Sequence, residues 1–222
     1  MCGRFSLHTP ESRIREAFNL EQTEPLGLKP RYNIAPSQDI PVIRDTASNQ
    51  EMVLAQWGLI PAWSKESKTR YSTINARVES VAEKPTYRTP FKHRRCLIPA
   101  DGFYEWQVVN GHKVPHHIRM RDGSTFAFAG LWDRWKGEEE TLDSCVIITT
   151  KSNEIMKPIH ERMPAIIAPA HYDLWLDYRV SDKQEIMQYL NSAPSSQLTA
   201  YPVSTWVNSP GNNGERCIQP AI

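Results

Sequence analysis

Cys2 is the residue whose position gives it the most distinctive chemistry. An initiator methionine is normally removed when the second residue is small, and removal of Met1 would make Cys2 the amino terminus. The residue would then carry a thiol and an α-amine on adjacent carbon atoms. Their unperturbed pKa values are about 8.5 and about 8, so both groups are partly deprotonated near neutral pH and both are nucleophiles.

Such a 1,2-aminothiol has two characteristic reactions. Its amine condenses with an aldehyde to give an imine, and the thiol then closes a five-membered thiazolidine ring. Alternatively, the thiol attacks an amide while the amine serves as the base, as in amino-terminal nucleophile hydrolases. The first residues alone leave both reactions open.

Either reaction needs groups that move protons. Glu105 lies in the alternating segment Phe103-Tyr104-Glu105-Trp106, where a carboxylate between aromatic residues favours a strand that faces a polar site. Aromatic surroundings raise a carboxyl pKa and suit it to proton transfer. Histidine is the natural acid or base near neutral pH. The chain has seven histidines, however, and side-chain chemistry alone does not separate His160 from His116 or His117.

Six ordered motifs resemble those of the SOS-response-associated peptidase (SRAP) family, whose members sense abasic sites in single-stranded DNA and crosslink to them. The motifs are MCGRF at 1–5, RYNIAP at 31–36, QWGLIP at 56–61, INARVE at 74–79, RCLIPADGFYEW at 95–106 and IHERMP at 159–164. The resemblance extends to CIQP at 217–220 and covers essentially the whole chain. It implies an enzyme that forms a DNA–protein crosslink, with possible abasic-site lyase activity and a peptidase activity that removes Met1.

The resemblance also implies catalytic roles. Cys2 matches the crosslinking residue, and Asn75 matches the polar residue that holds the amino terminus and the sugar. Glu105 matches the acidic group beside the amino terminus. His160 matches the acid or base at the sugar ring oxygen.

Single-stranded DNA containing abasic sites is the partner that the resemblance implies. Arg4, Arg77 and Arg162 match residues that hold phosphates, a task suited to the forked donors of arginine. Pro36 and Trp63 are expected to form an apolar wedge or stacking platform, although this chain has Trp63-Ser64 where some relatives have two adjacent tryptophans. The other expected DNA contacts are Asn33, Thr149 and Ser152.

The elements that must position these residues are mostly strands. Runs rich in β-branched or aromatic residues predict strands at 40–44, 52–57, 96–99, 103–109, 114–120, 125–132 and 145–150. Asn110-Gly111 predicts a type I′ hairpin turn. Residues 121–124 predict a second hairpin, so that residues 103–132 would form an antiparallel meander.

Helices are predicted at the periphery. The first is expected at 10–20, capped by Thr9, and later ones at 169–177 and 183–191, the last capped by Ser181 with Gln184. The predicted fold class is α+β: a single SRAP domain over residues 1–222 with a mainly antiparallel curved sheet or barrel and peripheral helices.

Composition sets further bounds. The 222 residues carry 26 Lys and Arg against 25 Asp and Glu, which excludes a globally basic nucleic-acid coat and an acidic tail. Charge is nevertheless uneven: residues 60–95 carry a net +6 and residues 138–190 a net −5. Whether the basic segment forms one positive face, or its charges are mixed in space with acidic ones, is left open.

Other classes of site are not expected. No apolar run approaches the roughly 18 residues of a membrane helix. The chain also lacks a signal-like start, so we expect a cytoplasmic monomer that associates with the nucleoid when DNA is damaged. The four cysteines have no zinc spacing, so neither metal nor cofactor is expected, and Cys96 and Cys145 are expected to be buried.

Two alternative functions remain open at this stage. Class II glutamine amidotransferases also begin Met-Cys-Gly, so an amino-terminal-cysteine amidohydrolase fits the first residues, and glutamine turnover to ammonia would reveal it. A non-catalytic single-stranded DNA-binding module is the other, and it would bind reversibly and with strong salt dependence.

Overall fold

A computed structural model describes residues 2–20, 23–46, 49–67, 73–191 and 193–221. Its strands are β1 Phe5–Leu7, β2 Arg31–Ile34, β3 Asp39–Asp45, β4 Gln50–Trp57, β5 Asn75–Arg77, β6 Arg95–Ala100, β7 Gly102–Val109, β8 His112–Met120, β9 Phe126–Lys136, β10 Thr141–Lys151, β11 Arg162–Pro164, β12 Ile166–Ile167 and β13 Leu198–Pro202. Its α-helices are α1 Glu11–Ala17, α2 Val78–Val81, α3 Arg88–His93, α4 Tyr172–Leu176 and α5 Lys183–Met187. Short 3-10 turns occur at Pro169–His171, Ser195–Gln197, Thr205–Asn208 and Glu215–Cys217.

Five strands close into a barrel in the order β10-β4-β3-β6-β9, because β9 also pairs with β10. All pairings in this ring are antiparallel except that of β4 with β10. Strands β5, β11 and β12 extend the barrel at its margins, and β5 runs parallel to β10. The predicted class is confirmed: a single α+β domain with a mainly antiparallel barrel and peripheral helices.

A second, five-stranded sheet has the order β13-β8-β7-β1-β2. Its β1 and β7 bring Phe5 and Phe103 against the barrel, where the Phe5 ring meets the rings of Trp57 and Phe128 at centroid distances of 5.3 and 5.7 Å. These fully buried aromatic residues join the two sheets through one core. The strand that begins just after Cys2 is therefore fixed by edge-to-face aromatic contacts.

The first predicted hairpin is confirmed and the second is wrong. Val109 pairs with His112, and Asn110 and Gly111 have the positive φ angles of 50° and 80° that the turn requires. Residues 121–124 do form a turn, but β8 and β9 on either side of it belong to different sheets. The meander over 103–132 therefore does not exist. The hairpin that follows joins β9 to β10, which sequence reasoning missed.

Helix ends also differ from their predictions. Pro10, not Thr9, precedes α1, because the Thr9 hydroxyl donates instead to Asp101 at 2.9 Å. The helix predicted at 169–177 is a 3-10 turn followed by the short α4. The cap of α5 is Asp182, one residue after the predicted Ser181, and its carboxylate accepts from the Glu185 amide at 2.9 Å.

Buried Arg95 connects the peripheral helices to the barrel. Its guanidinium donates to the carbonyl oxygens of Phe91, Lys92, Trp175, Asp177 and Val180. Burial lowers the pKa of Arg95 to about 10. The expected burial of Cys96 and Cys145 is confirmed. Within the described ranges, no helix has the length and apolar character needed to cross a membrane.

Candidate active site

Cys2 lies inside the protein, beside the middle of β7. Strand β1 pairs with β7 at Phe5 and Phe103, and the Tyr104 amide donates to the Arg4 carbonyl at 2.9 Å. Because this pairing is antiparallel, residues before Arg4 run along β7 towards Glu105. The Cys2 side chain is fully buried. Met1 lies outside the described residues.

Glu105 acts on Cys2 through its charge. Its side chain is 4% exposed, and it lies in β7 opposite His116 of β8. Burial is the main cause that raises the pKa of the Cys2 thiol far above its usual range, and the negative charge of Glu105 raises it further. In the resting protein the thiol is therefore neutral.

Asn75 holds the Cys2 backbone through its side-chain amide. It begins β5, which runs parallel to β10 with Asn75 opposite Ile147, and its Nδ2 donates to the Cys2 carbonyl at 2.8 Å. Among the described residues, its buried Oδ1 has no hydrogen-bond partner. The amide therefore fixes the position of Cys2 and keeps an acceptor for a ligand.

His160 follows the turn at 153–159 and is half-buried. The Arg162 amide donates to its Nδ1 at 3.0 Å, the shorter of two contacts that this nitrogen makes with the Arg162 backbone. This geometry favours the neutral tautomer with the proton on Nε2. Gln107, two residues after Glu105, donates to the Pro158 carbonyl at 3.1 Å and ties the turn to β7.

Arg162 is buried in an internal network that includes Thr149. One guanidinium nitrogen forms an ion pair with Glu79 at 2.6 Å, and the other donates to the Thr149 carbonyl at 2.6 Å. This pairing lowers the pKa of Glu79. Glu79 belongs to the 74–79 motif, yet sequence reasoning gave it no role. The ion pair joins α2, which follows Asn75 and Arg77, to the strand that follows His160.

Arg77 and Ser152 have different surroundings. Arg77 ends β5 opposite Thr149, and its side chain is exposed beside this network. The Ser152 amide donates to the Glu161 carbonyl at 3.1 Å, which places it at the start of the turn that carries His160. The DNA-binding roles of Arg77, Arg162, Thr149 and Ser152 stay predictions.

Arg4 and Asn33 are held by the C-terminal segment. Arg4 donates to Asn33 Oδ1 at 2.7 Å and to the Val207 carbonyl at 2.9 Å. Asn33 is 3% exposed, and its Nδ2 lies within 3.1 Å of the carbonyls of Val207, Ser209 and Asn212. Sequence reasoning missed these partners because a backbone carbonyl carries no sequence signature. The DNA-binding roles of Arg4 and Asn33 also stay predictions.

The two predicted wedge residues differ in their exposure. Trp63 is 67% exposed, whereas Pro36 is half-buried. The Ala62 amide beside Trp63 donates to Asp133 at 2.8 Å, near the start of β10 and away from the Thr149 end. No contact between described residues joins Trp63 to Cys2, so the wedge stays a prediction.

The arrangement can carry acid–base and nucleophilic chemistry on an electrophile that reaches Cys2. Cys2, Asn75 and Glu105 come from three separate parts of the chain. The turn before β11 supplies His160, and the bond from Gln107 to Pro158 ties that turn to β7. Within the described part of the chain, no group of three or more His, Cys, Asp or Glu side chains is placed to hold a metal ion.

Comparisons with known proteins show the family of the chain. A family model described as SOS response associated peptidase (SRAP) matches residues 1–210. The abasic site processing protein YoqW of Bacillus subtilis (strain 168) is 43% identical over 222 residues, which cover 99% of each chain. The abasic site processing protein HMCES of Xenopus tropicalis is 34% identical, with 100% of this chain and 79% of that protein covered.

The fold of this chain also resembles those of solved structures. A protein from Bacteroides thetaiotaomicron superposes with a TM-score of 0.90 at 27% identity, covering 100% of both chains. A protein from Bordetella bronchiseptica superposes with a TM-score of 0.79 at 25% identity, covering 91% of this chain and 100% of the other. With the motifs, the barrel and the relatives in agreement, this chain belongs to the SOS response associated peptidase family.

Proposed function

We propose that this protein processes abasic sites in DNA and forms a covalent adduct with them through the amine and thiol of Cys2. The observation that carries the proposal is the convergence on Cys2: Asn75 bonds its carbonyl at 2.8 Å, and Glu105 acts on its thiol by charge. Relatives that cover nearly the whole chain are named abasic site processing proteins, which supports the choice of an aldehyde as the electrophile.

The first step opens the sugar. Abasic deoxyribose exists mainly as a closed hemiacetal, in which the ring oxygen and a hydroxyl share C1′. His160 donates the Nε2 proton to the ring oxygen, and a water molecule carries the proton of the C1′ hydroxyl back to Nε2, so the C1′–O4′ bond breaks, an aldehyde forms and the imidazole ends neutral. The bond from the Arg162 amide to Nδ1 supports this role, because it favours the proton on Nε2.

The second step joins Cys2 to C1′. The neutral amine adds to the aldehyde, Glu105 relays a proton to the departing hydroxyl, and one water molecule leaves as the imine forms. The thiol sulfur then bonds to C1′, and its proton ends on the former imine nitrogen. The product is a thiazolidine, with no net oxidation or reduction.

The proposed order of these steps begins with the amine. Burial and Glu105 raise the pKa of the thiol, so its thiolate is scarce, and we assign the thiol to the later ring closure. An imine at C1′ also acidifies C2′, so β-elimination with strand cleavage is an expected side reaction. Ring closure by the thiol removes the imine and suppresses it.

Formation of the amine requires that Met1 be removed, and we propose that the same site takes part. Glu105, whose charge acts on Cys2, is the acid or base that we assign to this step. We further propose that Arg77 holds a phosphate beside the lesion, since its side chain is exposed at the edge of the site. The protein would then shield lesions in single-stranded DNA in the cytoplasm, at the nucleoid.

Mass spectrometry of the intact protein tests this function most directly. The purified chain is incubated with an oligonucleotide that contains one abasic site, and the same strand without the lesion serves as the control. We expect loss of the Met1 mass and a covalent adduct equal to protein plus oligonucleotide minus one water. Processed protein that forms no adduct would disprove the proposal. Measurement of ammonia released from glutamine would test the amidohydrolase alternative in the same preparation.

A further inference from the structure

Three exposed cations lie on α3 and in the turn just before it, at a spacing of four residues. Lys84, Arg88 and Lys92 all have exposed side chains, and we call this set the α3 basic ridge. The Arg88 amide donates to the Lys84 carbonyl at 2.9 Å, so the helical spacing extends back to Lys84. Side chains four residues apart on a helix are neighbours, with Cβ atoms about 5–6 Å apart. The ridge is therefore a continuous row of positive charge.

Acidic residues near the ridge are engaged elsewhere. Glu83 pairs with Lys183 at 3.0 Å, and Glu79 pairs with Arg162 at 2.6 Å. Among the residues that the structure describes, no hydrogen bond or ion pair involves a side chain of the ridge. The positive segment noted in the sequence thus contributes one uncompensated row, while Lys68 and Arg70 of that segment lie outside the described residues.

An exposed aromatic surface flanks the ridge. Trp63 lines a cavity of about 320 Å³ together with Pro85 and Thr89, each one residue along the chain from a member of the ridge. Its indole is 67% exposed. Aromatic faces beside rows of positive charge are the combination that binds nucleic-acid strands without regard to sequence.

The ridge is close in the chain to the candidate active site. Strand β5 ends at Arg77, α2 follows directly, and Lys84 is seven residues beyond Arg77. Seven residues span at most about 25 Å even when fully extended. A DNA strand held at Arg77 can therefore reach the ridge within a few nucleotides.

We propose that the α3 basic ridge binds backbone phosphates of the DNA that flanks the lesion, with Trp63 beside its path. This inference rests on the proposed function and adds to it a second contact surface outside the reacting centre. Binding there raises the affinity for longer substrates and leaves the chemistry at Cys2 unchanged.

The test uses the double variant Arg88→Gln/Lys92→Gln in the full chain. The control Arg13→Gln/Lys29→Gln removes the same two residue types from exposed positions near α1. Single-turnover crosslinking is measured against abasic strands with only a few flanking nucleotides and against strands extended on the 5′ or the 3′ side. Each extension is used both as a single strand and annealed to a complementary strand. The comparison shows whether the ridge binds phosphates of single-stranded or of double-stranded flanking DNA.

We expect the ridge variant to raise the half-saturating protein concentration about tenfold for strands extended on one side. The slope of log affinity against log salt should become less steep by about one to two. The short strand should be crosslinked with wild-type half-saturation, and the saturated rate should be unchanged for every strand.

Other outcomes would overturn the inference. Equal losses in the ridge and control variants would assign the effect to net charge, and a loss on the short strand would assign it to the active site. Unchanged binding of every strand would also disprove it. If the wild-type protein crosslinks nothing, the proposed function fails, but anisotropy with a long lesion-free strand still tests the ridge through the same pair of variants.

Discussion

Cys2 is completely buried, although its proposed reaction is with DNA. Burial raises the pKa of its thiol, and the charge of Glu105 raises it further, so the resting thiol is neutral. A neutral, buried thiol resists oxidation and alkylation because the thiolate is the reactive form.

Replacing Cys2 with Ala should separate binding from crosslinking. We expect Cys2→Ala to retain reversible DNA binding and to lose the adduct that survives denaturation, because half of the aminothiol is gone. SDS gels of heated samples measure the adduct, and anisotropy measures binding. Cys2→Ser is the companion variant, from which we expect an imine that borohydride traps. A heat-stable adduct at wild-type yield from Cys2→Ala would refute the thiazolidine.

His160 and Arg77 should affect different kinetic quantities. His160→Gln removes the proposed proton donor at the ring oxygen, so we expect the saturated crosslinking rate to fall about 10²–10⁴-fold. Arg77→Ala removes an exposed phosphate partner, so half-saturation should rise while the saturated rate is kept. Single-turnover titrations at pH 6–8 separate the two effects.

Both variants must first be shown by mass spectrometry to begin at Cys2. Otherwise an unprocessed chain would imitate a catalytic defect. A saturated rate that is unchanged in His160→Gln but lowered in Arg77→Ala would reverse the assigned roles. Arg162→Ala is a poor probe of DNA binding, because it also breaks the buried pair with Glu79.

At the scale of elements, Asp101 fixes the corner between β1 and α1. Its carboxylate is 6% exposed and accepts from the amides of His8 and Thr9 and from the hydroxyls of Thr9 and Thr125. This contact set anchors the end of β1 that lies opposite to Cys2. The corner therefore determines how β1 approaches β7.

We expect Asp101→Ala to lower the free energy of unfolding by about 3–5 kcal/mol, because it removes the buried acceptor of four hydrogen bonds from half-buried donors. Asp122→Ala is the matched control, since Asp122 is exposed and, among the residues that the structure describes, its carboxylate accepts hydrogen bonds only from Ser124. It should cost about 1 kcal/mol or less. Urea unfolding measures both, and equal midpoints for the two variants would contradict the role of Asp101.

Strands were easier to predict than their partners. At 40–44 and 103–109, the prediction of a strand depends only on local runs of β-branched or aromatic side chains. Both strands are present in the structure. The sheet to which β9 belongs depends on contacts with distant β6 and β10, which no local pattern contains. The turn at 121–124 therefore looked like a hairpin although its strands separate.

The caps failed for a related reason. Thr9 has the right residue type and place to cap α1, but its hydroxyl has a competing acceptor in Asp101, 92 residues away in the chain. In the candidate site, too, partners that are distant in the chain could not be predicted. The motifs indicated the candidate reacting residues, whereas the three carbonyls around Asn33 could be identified only from the folded chain.

At the scale of the whole molecule, His117 makes the fold sensitive to acid. It is buried between Ser6 Oγ, 3.2 Å from Nε2, and the Tyr201 hydroxyl, 3.0 Å from Nδ1, and so links β1, β8 and β13. Burial lowers its pKa to about 3, with smaller contributions from the positive charges of His8 and Arg119. Because the folded-state pKa is depressed, the stability from the neutral ring is present above about pH 6.5 and is lost as pH falls towards 3.

Below pH 6.5, His117 should cost about 1.4 kcal/mol of stability per pH unit. We expect His117→Gln to be less stable than wild type at pH 7.5 but to show a shallower decline in urea midpoint between pH 6.5 and 4. His112→Gln, at the exposed hairpin turn, should decline as wild type does. Parallel declines in all three proteins would show that His117 does not titrate in this way.

The bond between Arg4 and Val207 spans 203 residues. During translation, the first residues leave the ribosome long before Val207 is made. Cys2 therefore passes through an interval in which processing enzymes and solvent reach it, and the completed fold then withdraws it from them. The contact of Arg4 with Val207 is thus among the last that can form around the amino-terminal segment, and folding of the C-terminal segment completes it.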